Sequence, residues 1–279
     1  MTRTQVLVTV DELAAALAGD ERPVLLDVRW ALGRSDGHDG YLAAHLPGAV
    51  YVDLETELAA PPTPQDGRHP LPDLAALEAS ARRWGVRDDR PVVAYDAVGG
   101  MSAARAWWLL RWAGVRDVRL LDGGITAWTA AGLPVEAGGV TAEAGDVVLV
   151  AGHLPTIDAD EAAAWRGALL DARAAERYAG EVEPIDPRAG HIPGALSVPT
   201  AGNLTADGRF LTDEALRARF DVAGPVAVYC GSGVTAAHEI AALASIGVEA
   251  ALYSGSWSQW SNDPERPVAT GTTRAATPG

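Results

Sequence analysis

The chain has 279 residues, a formal charge of −15 at pH 7, 48% hydrophobic and 21% charged residues, and one cysteine, Cys230. A single cysteine excludes an internal disulfide and any metal site built on several thiolates, and since all 22 basic residues are arginine, P-loop, Schiff-base and pyridoxal-anchoring lysines are excluded too. The negative charge argues against nucleic acid or an anionic membrane as partner, because both need basic surface.

The first segment, MTRTQVLVTVDELAAALAGD, has acids at Asp11 and Glu12 interrupting its apolar run, so it lacks the h-region of a secretory leader. No stretch reaches ~18 uncharged apolar residues, and a cytoplasmic protein is predicted. VLLDVR (24–29) is strand-like, and HLPGA follows at 45–49. Helical spacing runs through 71–86, then PVVAYD (91–96) is again strand-like. The helical segment 99–114 carries Trp107, Trp108 and Trp112, two of them at i, i+4 spacing, which predicts packing in the core or against a second domain. LLDGGITAW (120–128) leads into a Gly/Ala-rich stretch over 137–152.

After that stretch the pattern returns. ALLDAR (168–173), HIPGA (191–195), PVAVYC (225–230) and LYSGSWSQW (252–260) repeat the earlier segments in order, with only the loops changed in length. Two copies at so long a period indicate a duplicated domain. The chain is divided into residues 1–140, a linker over 141–152, and residues 153–279. Strand–helix alternation predicts in each half an α/β fold, a mostly parallel sheet flanked by helices. Helices are expected at 213–220 and 234–247, the latter with Ile240, Leu243 and Ile246 on one face and Gly247 at C′.

Chemistry concentrates where the halves differ. Cys230 ends the strand PVAVY and opens Cys230-Gly231-Ser232-Gly233-Val234-Thr235 before a helix, whereas the first half has Asp96 at that place. Ligands of open α/β sheets bind outside the carboxyl ends of strands. Gly231 and Gly233 let the backbone wrap tightly around the sulfur, and inward N–H groups with the helix N-terminus favour thiolate, the nucleophilic form. A lone cysteine without such a setting reads as a small buried hydrophobe.

These residues resemble the rhodanese family of sulfurtransferases in its two-domain form, over nearly the whole chain. The markers are Tyr41-x-x-x-His45-Leu46-Pro47-Gly48-Ala49, His191-Ile192-Pro193-Gly194-Ala195, the Cys230 loop, and Gly255-Ser256-Trp257 with Trp260; Ser254 and Gln259 depart from the usual acidic residues. The resemblance implies tandem rhodanese-like domains, the first catalytically silent, and a reaction in which the cysteine takes a sulfane sulfur as a persulfide and passes it to a thiol such as thioredoxin or to cyanide. Neither metal nor cofactor is implied. His45 and His191, present in both halves, read as structural, as do Arg29 and Arg173.

The donor is read from the loop. Thiosulfate-type members carry basic side chains just after the cysteine; Gly231 and Ser232 instead resemble the 3-mercaptopyruvate type, with thiosulfate as the alternative donor. That resemblance implies a relay of Ser232, His69 and Glu55, with Asp53 as alternative acid. It also implies Arg177 at the donor's carboxylate; the second arginine of animal-type members falls on Asp186 here, and Arg188 is the nearest replacement. A cysteine phosphatase would need a phosphate-gripping arginine after the loop, where Ala236, Ala237 and His238 stand. A non-catalytic binding module is disfavoured by the intact cysteine loop.

Overall fold

The computed structural model describes residues 1–272. Its first half contains α1 (Arg3–Val6), β1 (Leu7–Val8), α2 (Val10–Ala18), β2 (Val24–Asp27), α3 (Gly37–Ala43) and β3 (Val50–Tyr51). Then come α4 (Leu54–Glu57), α5 (Leu74–Arg83), β4 (Val92–Tyr95), α6 (Ala103–Trp112), β5 (Val118–Leu121) and α7 (Gly124–Ala130). The second half has β6 (Thr156–Ile157), α8 (Ala159–Ala163), β7 (Ala168–Asp171), α9 (Ala175–Ala179) and β8 (Leu196–Ser197). After a 3₁₀ turn at Thr200–Asn203 it closes with α10 (Asp213–Arg219), β9 (Val226–Tyr229), α11 (Val234–Ser245), β10 (Ala250–Tyr253) and α12 (Ser256–Asn262).

Each half folds into a five-stranded parallel sheet, in order β1-β5-β4-β2-β3 and β6-β10-β9-β7-β8. The orders are the same once the second set is renumbered from its own first strand, so the sequence repeat is a repeat of topology. The central strands β4 and β9 are buried at every position, as a sheet covered on both faces requires. Each ends in a tyrosine whose hydroxyl accepts from the backbone of the repeated His-x-Pro-Gly-Ala turn: Tyr95 from Leu46 at 3.0 Å and Tyr229 from Ile192 at 3.2 Å. In the same turns His45 and His191 stack on Tyr41 and Tyr178 and bond those residues' carbonyls, a bracing role.

One hydrophobic core runs through both halves. Its centre is the packing of α6 on α11. Every residue of α6 from Ala103 to Leu110 is buried, Trp107 and Trp108 included, and Trp112 stacks on Trp108 at 5.9 Å. The one-sided pattern expected for α11 is exceeded: the helix is buried almost all round, from Ala236 to Ser245, because a second domain covers the face a single domain would leave wet. Residues 141–150 carry no helix or strand, yet they alternate in exposure, Val147 at 1%, Val148 at 63%, Leu149 at 5% and Val150 at 59%. Their backbone bonds Val86, Glu78 and Ala113, so this segment is laid along the first half as an extended strap. Among the described residues, no helix is long and apolar enough to cross a membrane.

Candidate active site

Cys230 follows β9 directly and is 1% exposed. The backbone N–H of Gly233 donates to its Sγ at 3.1 Å, and Gly233 has φ +79°, the left-handed conformation that turns that N–H inward. A Cβ on Gly233 would also meet the Ser254 carbonyl oxygen at 2.6 Å. The loop is supported from α12. Ser256 Oγ accepts from the Cys230 N–H at 3.1 Å, while the N–H groups of Trp257 and Ser258 donate to the carbonyls of Cys230 and Gly231. Ser256 has φ +54° and is the non-glycine residue among those described to hold a left-handed conformation. The Gly255-Ser256-Trp257 signature thus acts as a brace under the loop.

The first half shows what such a loop attracts. Asp96, at the end of β4, fills its own loop with a carboxylate that accepts four backbone N–H groups, from Val98, Gly100 and Ser102 at 2.8 Å and Ala103 at 2.9 Å. Backbone donors converging at a helix N-terminus favour an anion, and here the chain supplies it.

Across the domain boundary stands His69, 4% exposed, with its ring edge-on to Trp30. Its Nδ1 lies 2.7 Å from Ser232 Oγ and its Nε2 lies 3.2 Å from Glu55 Oε2. The second Glu55 oxygen accepts from Trp30 Nε1 at 2.6 Å. Asp53, the alternative acid, is instead the N-cap of α4, accepting from the Glu55 and Thr56 N–H groups. Burial holds the His69 imidazole below its ordinary value of 6.5, with the Glu55 charge opposing. A neutral ring with Nε2–H donated to Glu55 leaves Nδ1 free to accept the Ser232 proton.

A cavity of about 430 Å³ opens beside the cysteine, lined by Cys230, Gly231, Ser232, Val234 and Thr235 and by Arg68 and Arg177 from either side. Arg177, on α9, donates to Glu183 at 2.6 Å and to Asp186 at 3.1 Å. Arg173 donates to Asp171 at 2.6 Å and to Glu183 at 3.3 Å, and Arg29 repeats this ion pair with Asp27 in the first half. Arg188 lies elsewhere: it donates to the carbonyls of Trp260, Ser261, Asp263 and Arg266, taking up acceptors that the end of α12 leaves open. A loop without cations of its own sequence is nonetheless bordered by two. A Cβ on Gly231 would stand 2.9 Å from Arg68 Nη2 and 3.4 Å from Arg177 Nη1.

Two arginines that sequence reading did not single out join the site. Arg68 precedes His69 and pairs with Asp186. Arg105, on α6, is fully buried and donates to the carbonyls of Leu58, His69, Pro70 and Gly233 at 3.0–3.3 Å, so one guanidinium ties the His69 backbone to the cysteine loop. The available signal was a charge inside AARAWWLL, a stretch otherwise apolar on every side. Among the described residues, no group of three or more His, Cys, Asp or Glu side chains is arranged to hold a metal ion.

Comparison with known proteins agrees with the two-domain fold. The Rhodanese-like domain family matches residues 9–131 and again 157–263. A Mycobacterium tuberculosis protein named "Putative thiosulfate sulfurtransferase SseB" is 50% identical over 97% of this chain and 99% of its own. The Escherichia coli protein named 3-mercaptopyruvate sulfurtransferase is 36% identical over 88% of this chain and 91% of its own. The crystal structure of SseA from Escherichia coli superposes with a TM-score of 0.80 at 35% identity, covering 92% of this chain and 99% of that one. With two matched domains, two sheets of one topology and sulfurtransferases as its relatives, the chain belongs to the rhodanese family and is a sulfurtransferase.

Proposed function

We propose that the chain moves a sulfane sulfur from 3-mercaptopyruvate, through a persulfide on Cys230, to a thiol such as thioredoxin or to cyanide. The observation that carries this reading is the hydrogen-bonded series Glu55–His69–Ser232 ending beside the cysteine loop. The Cys230 thiolate attacks the donor's sulfur and an S–S bond forms. The donor's C–S bond breaks with its electron pair going to carbon, giving the enolate of pyruvate. Ser232 Oγ receives the donor's thiol proton as it passes its own to His69 Nδ1, and Glu55 steadies the imidazolium; the proton then returns to the product carbon. The persulfide's outer sulfur is anionic and is held by the inward N–H groups of the loop. Attack by an acceptor thiolate or cyanide on that sulfur regenerates the Cys230 thiolate. The balance closes without a redox partner.

In this reading residues 153–279 form the catalytic domain, residues 1–140 a domain silenced by Asp96 that lends His69 and Glu55, and 141–152 the join. The cytoplasm, where thiol acceptors are kept reduced, is the assigned compartment. A second reading, thiosulfate as donor, is favoured by the two guanidiniums at Gly231, which suit a dianion. Values of kcat/KM with both donors, on the unaltered protein and on Ser232→Ala, decide between them. Preference for 3-mercaptopyruvate that collapses in Ser232→Ala is expected; preference for thiosulfate indifferent to that change overturns the first reading.

A further inference from the structure

Arg68 is contributed by the first domain, yet its guanidinium reaches over the cysteine loop of the second. Asp186 draws it there: the Asp186 carboxylate is bonded by Arg68 Nη1 on one side and by Arg177 Nη2 on the other. The acid is itself nearly buried, and burial pushes its carboxyl up from the ordinary range against the pull of Arg68. Asp171, Arg173, Glu183, Arg177, Asp186 and Arg68 form a run of alternating charges that begins behind the loop and ends at the cavity. Three acids balance three arginines, so an arriving anion meets a neutral cluster with two guanidinium edges turned toward Gly231. Arg68 Nε is buried and has no acceptor among the described residues, a cost a bound anion would relieve.

We propose that Arg68 is the second cation for the donor's carboxylate, making with Arg177 a fork assembled from both domains, and that Asp186 holds the fork while competing with the donor for it. This rests on the reading of the cavity beside Cys230 as the donor site. A planar guanidinium pair can grip one carboxylate from two directions and fix the distance from that anchor to the sulfur. The aspartate that replaces an expected cation at 186 therefore relocates the charge to the other domain without leaving the site short of it. The ligand class is a small monoanionic 2-oxo acid carrying its thiol two carbons from the carboxylate carbon; a sulfonate has the same oxygen chemistry and is separated by the test.

The test is steady-state kinetics with cyanide as acceptor, for Arg68→Gln, Arg68→Lys and Asp186→Asn, each with 3-mercaptopyruvate and with thiosulfate. Which donor the unaltered protein takes tests the functional reading; the variant-to-wild-type ratio for that donor tests the fork. Arg68→Gln is expected to raise KM at least tenfold with kcat reduced less, Arg68→Lys to raise it less, and Asp186→Asn to lower it severalfold. An unchanged KM in folded Arg68→Gln, or a fall in kcat alone, overturns the proposal, because Arg68 would then serve only to position His69. A raised KM in Asp186→Asn overturns the competing role. Should Arg68→Gln fail to fold, Arg68→Lys and Asp186→Asn decide by the same criteria.

Discussion

His69 Nδ1 lies 2.7 Å from Ser232 Oγ although 163 residues separate the two and they belong to different domains. Neither half of the chain supplies both residues of this contact. In the proposed mechanism the pair acts as one unit, since Ser232 without His69 would have no proton acceptor and His69 without Ser232 would face no proton.

Ser232→Ala and His69→Asn should each lower kcat with 3-mercaptopyruvate by roughly 10- to 100-fold, the range for a lost general acid–base group. The double variant should lose little more than either single one. Turnover with thiosulfate, which has no thiol proton to move, serves as the control. A strictly multiplicative double loss would mean that the two residues act separately.

The pH profile follows from the His69 environment. Burial holds its value below 6.5, so kcat/KM with 3-mercaptopyruvate should stay level through neutrality and fall on an acid limb with its midpoint under 6.5. The Glu55 charge favours the protonated ring, so Glu55→Gln should move that limb to still lower pH while reducing kcat. A limb that shifts upward in Glu55→Gln would assign the titration to another group.

Arg105 is a buried cation whose hydrogen bonds go to four carbonyls, with Cys230 as an electrostatic neighbour. Burial pushes it down to about 10, which leaves it charged at neutral pH. Arg105→Met strands four carbonyls and should destabilise the protein by about 3 kcal/mol or more. Urea midpoints read this loss. Activity per folded molecule should fall as well, since the His69 and Gly233 backbones lose their common tie.

His238 and Glu239, adjacent on α11, oppose each other in pH. His238 is pushed down to about 4 by burial, so its folded form resists a proton that the unfolded chain takes below 6.5, and stability drops as pH falls from 6.5 toward 4. Glu239 is pushed up to about 7, so its folded form keeps a proton that the unfolded chain releases above 4.5, and stability drops as pH rises from 4.5 through 7. Between 4.5 and 6.5 the two slopes cancel. Glu239→Gln should therefore show a new fall in melting temperature over that window. At pH 8 it should be more stable than the unaltered protein, by up to about 3 kcal/mol.

The repeat, the paired sheets and the setting of Cys230 were legible because each is local: a strand, a turn and a helix start written in consecutive residues. His69, Glu55 and Ser232 were named through resemblance, and distance in sequence hid whether they meet. Arg188 shows where local reading ends. Its spacing suggested a carboxylate partner, but the nearby end of α12 offered open carbonyls first. The absence of basic residues in Gly231-Ser232 reads as the mark of a 3-mercaptopyruvate-type loop, with Arg177 as the cation for the donor. Arg68 adds a second guanidinium at the loop from the first domain, and only the docking of the domains reveals it. The all-round burial of α11 was hidden for the same reason.

The seam between α6 and α11 makes the two repeats inseparable. Parting them would put into water the faces of α6 and α11 that now bury each other, with the fully buried Arg105 among them. Duplication supplied two copies of a motif, but stability has merged them into a single cooperative unit. Heating should accordingly give one calorimetric transition with matching van't Hoff and calorimetric enthalpies, and either half expressed by itself should aggregate.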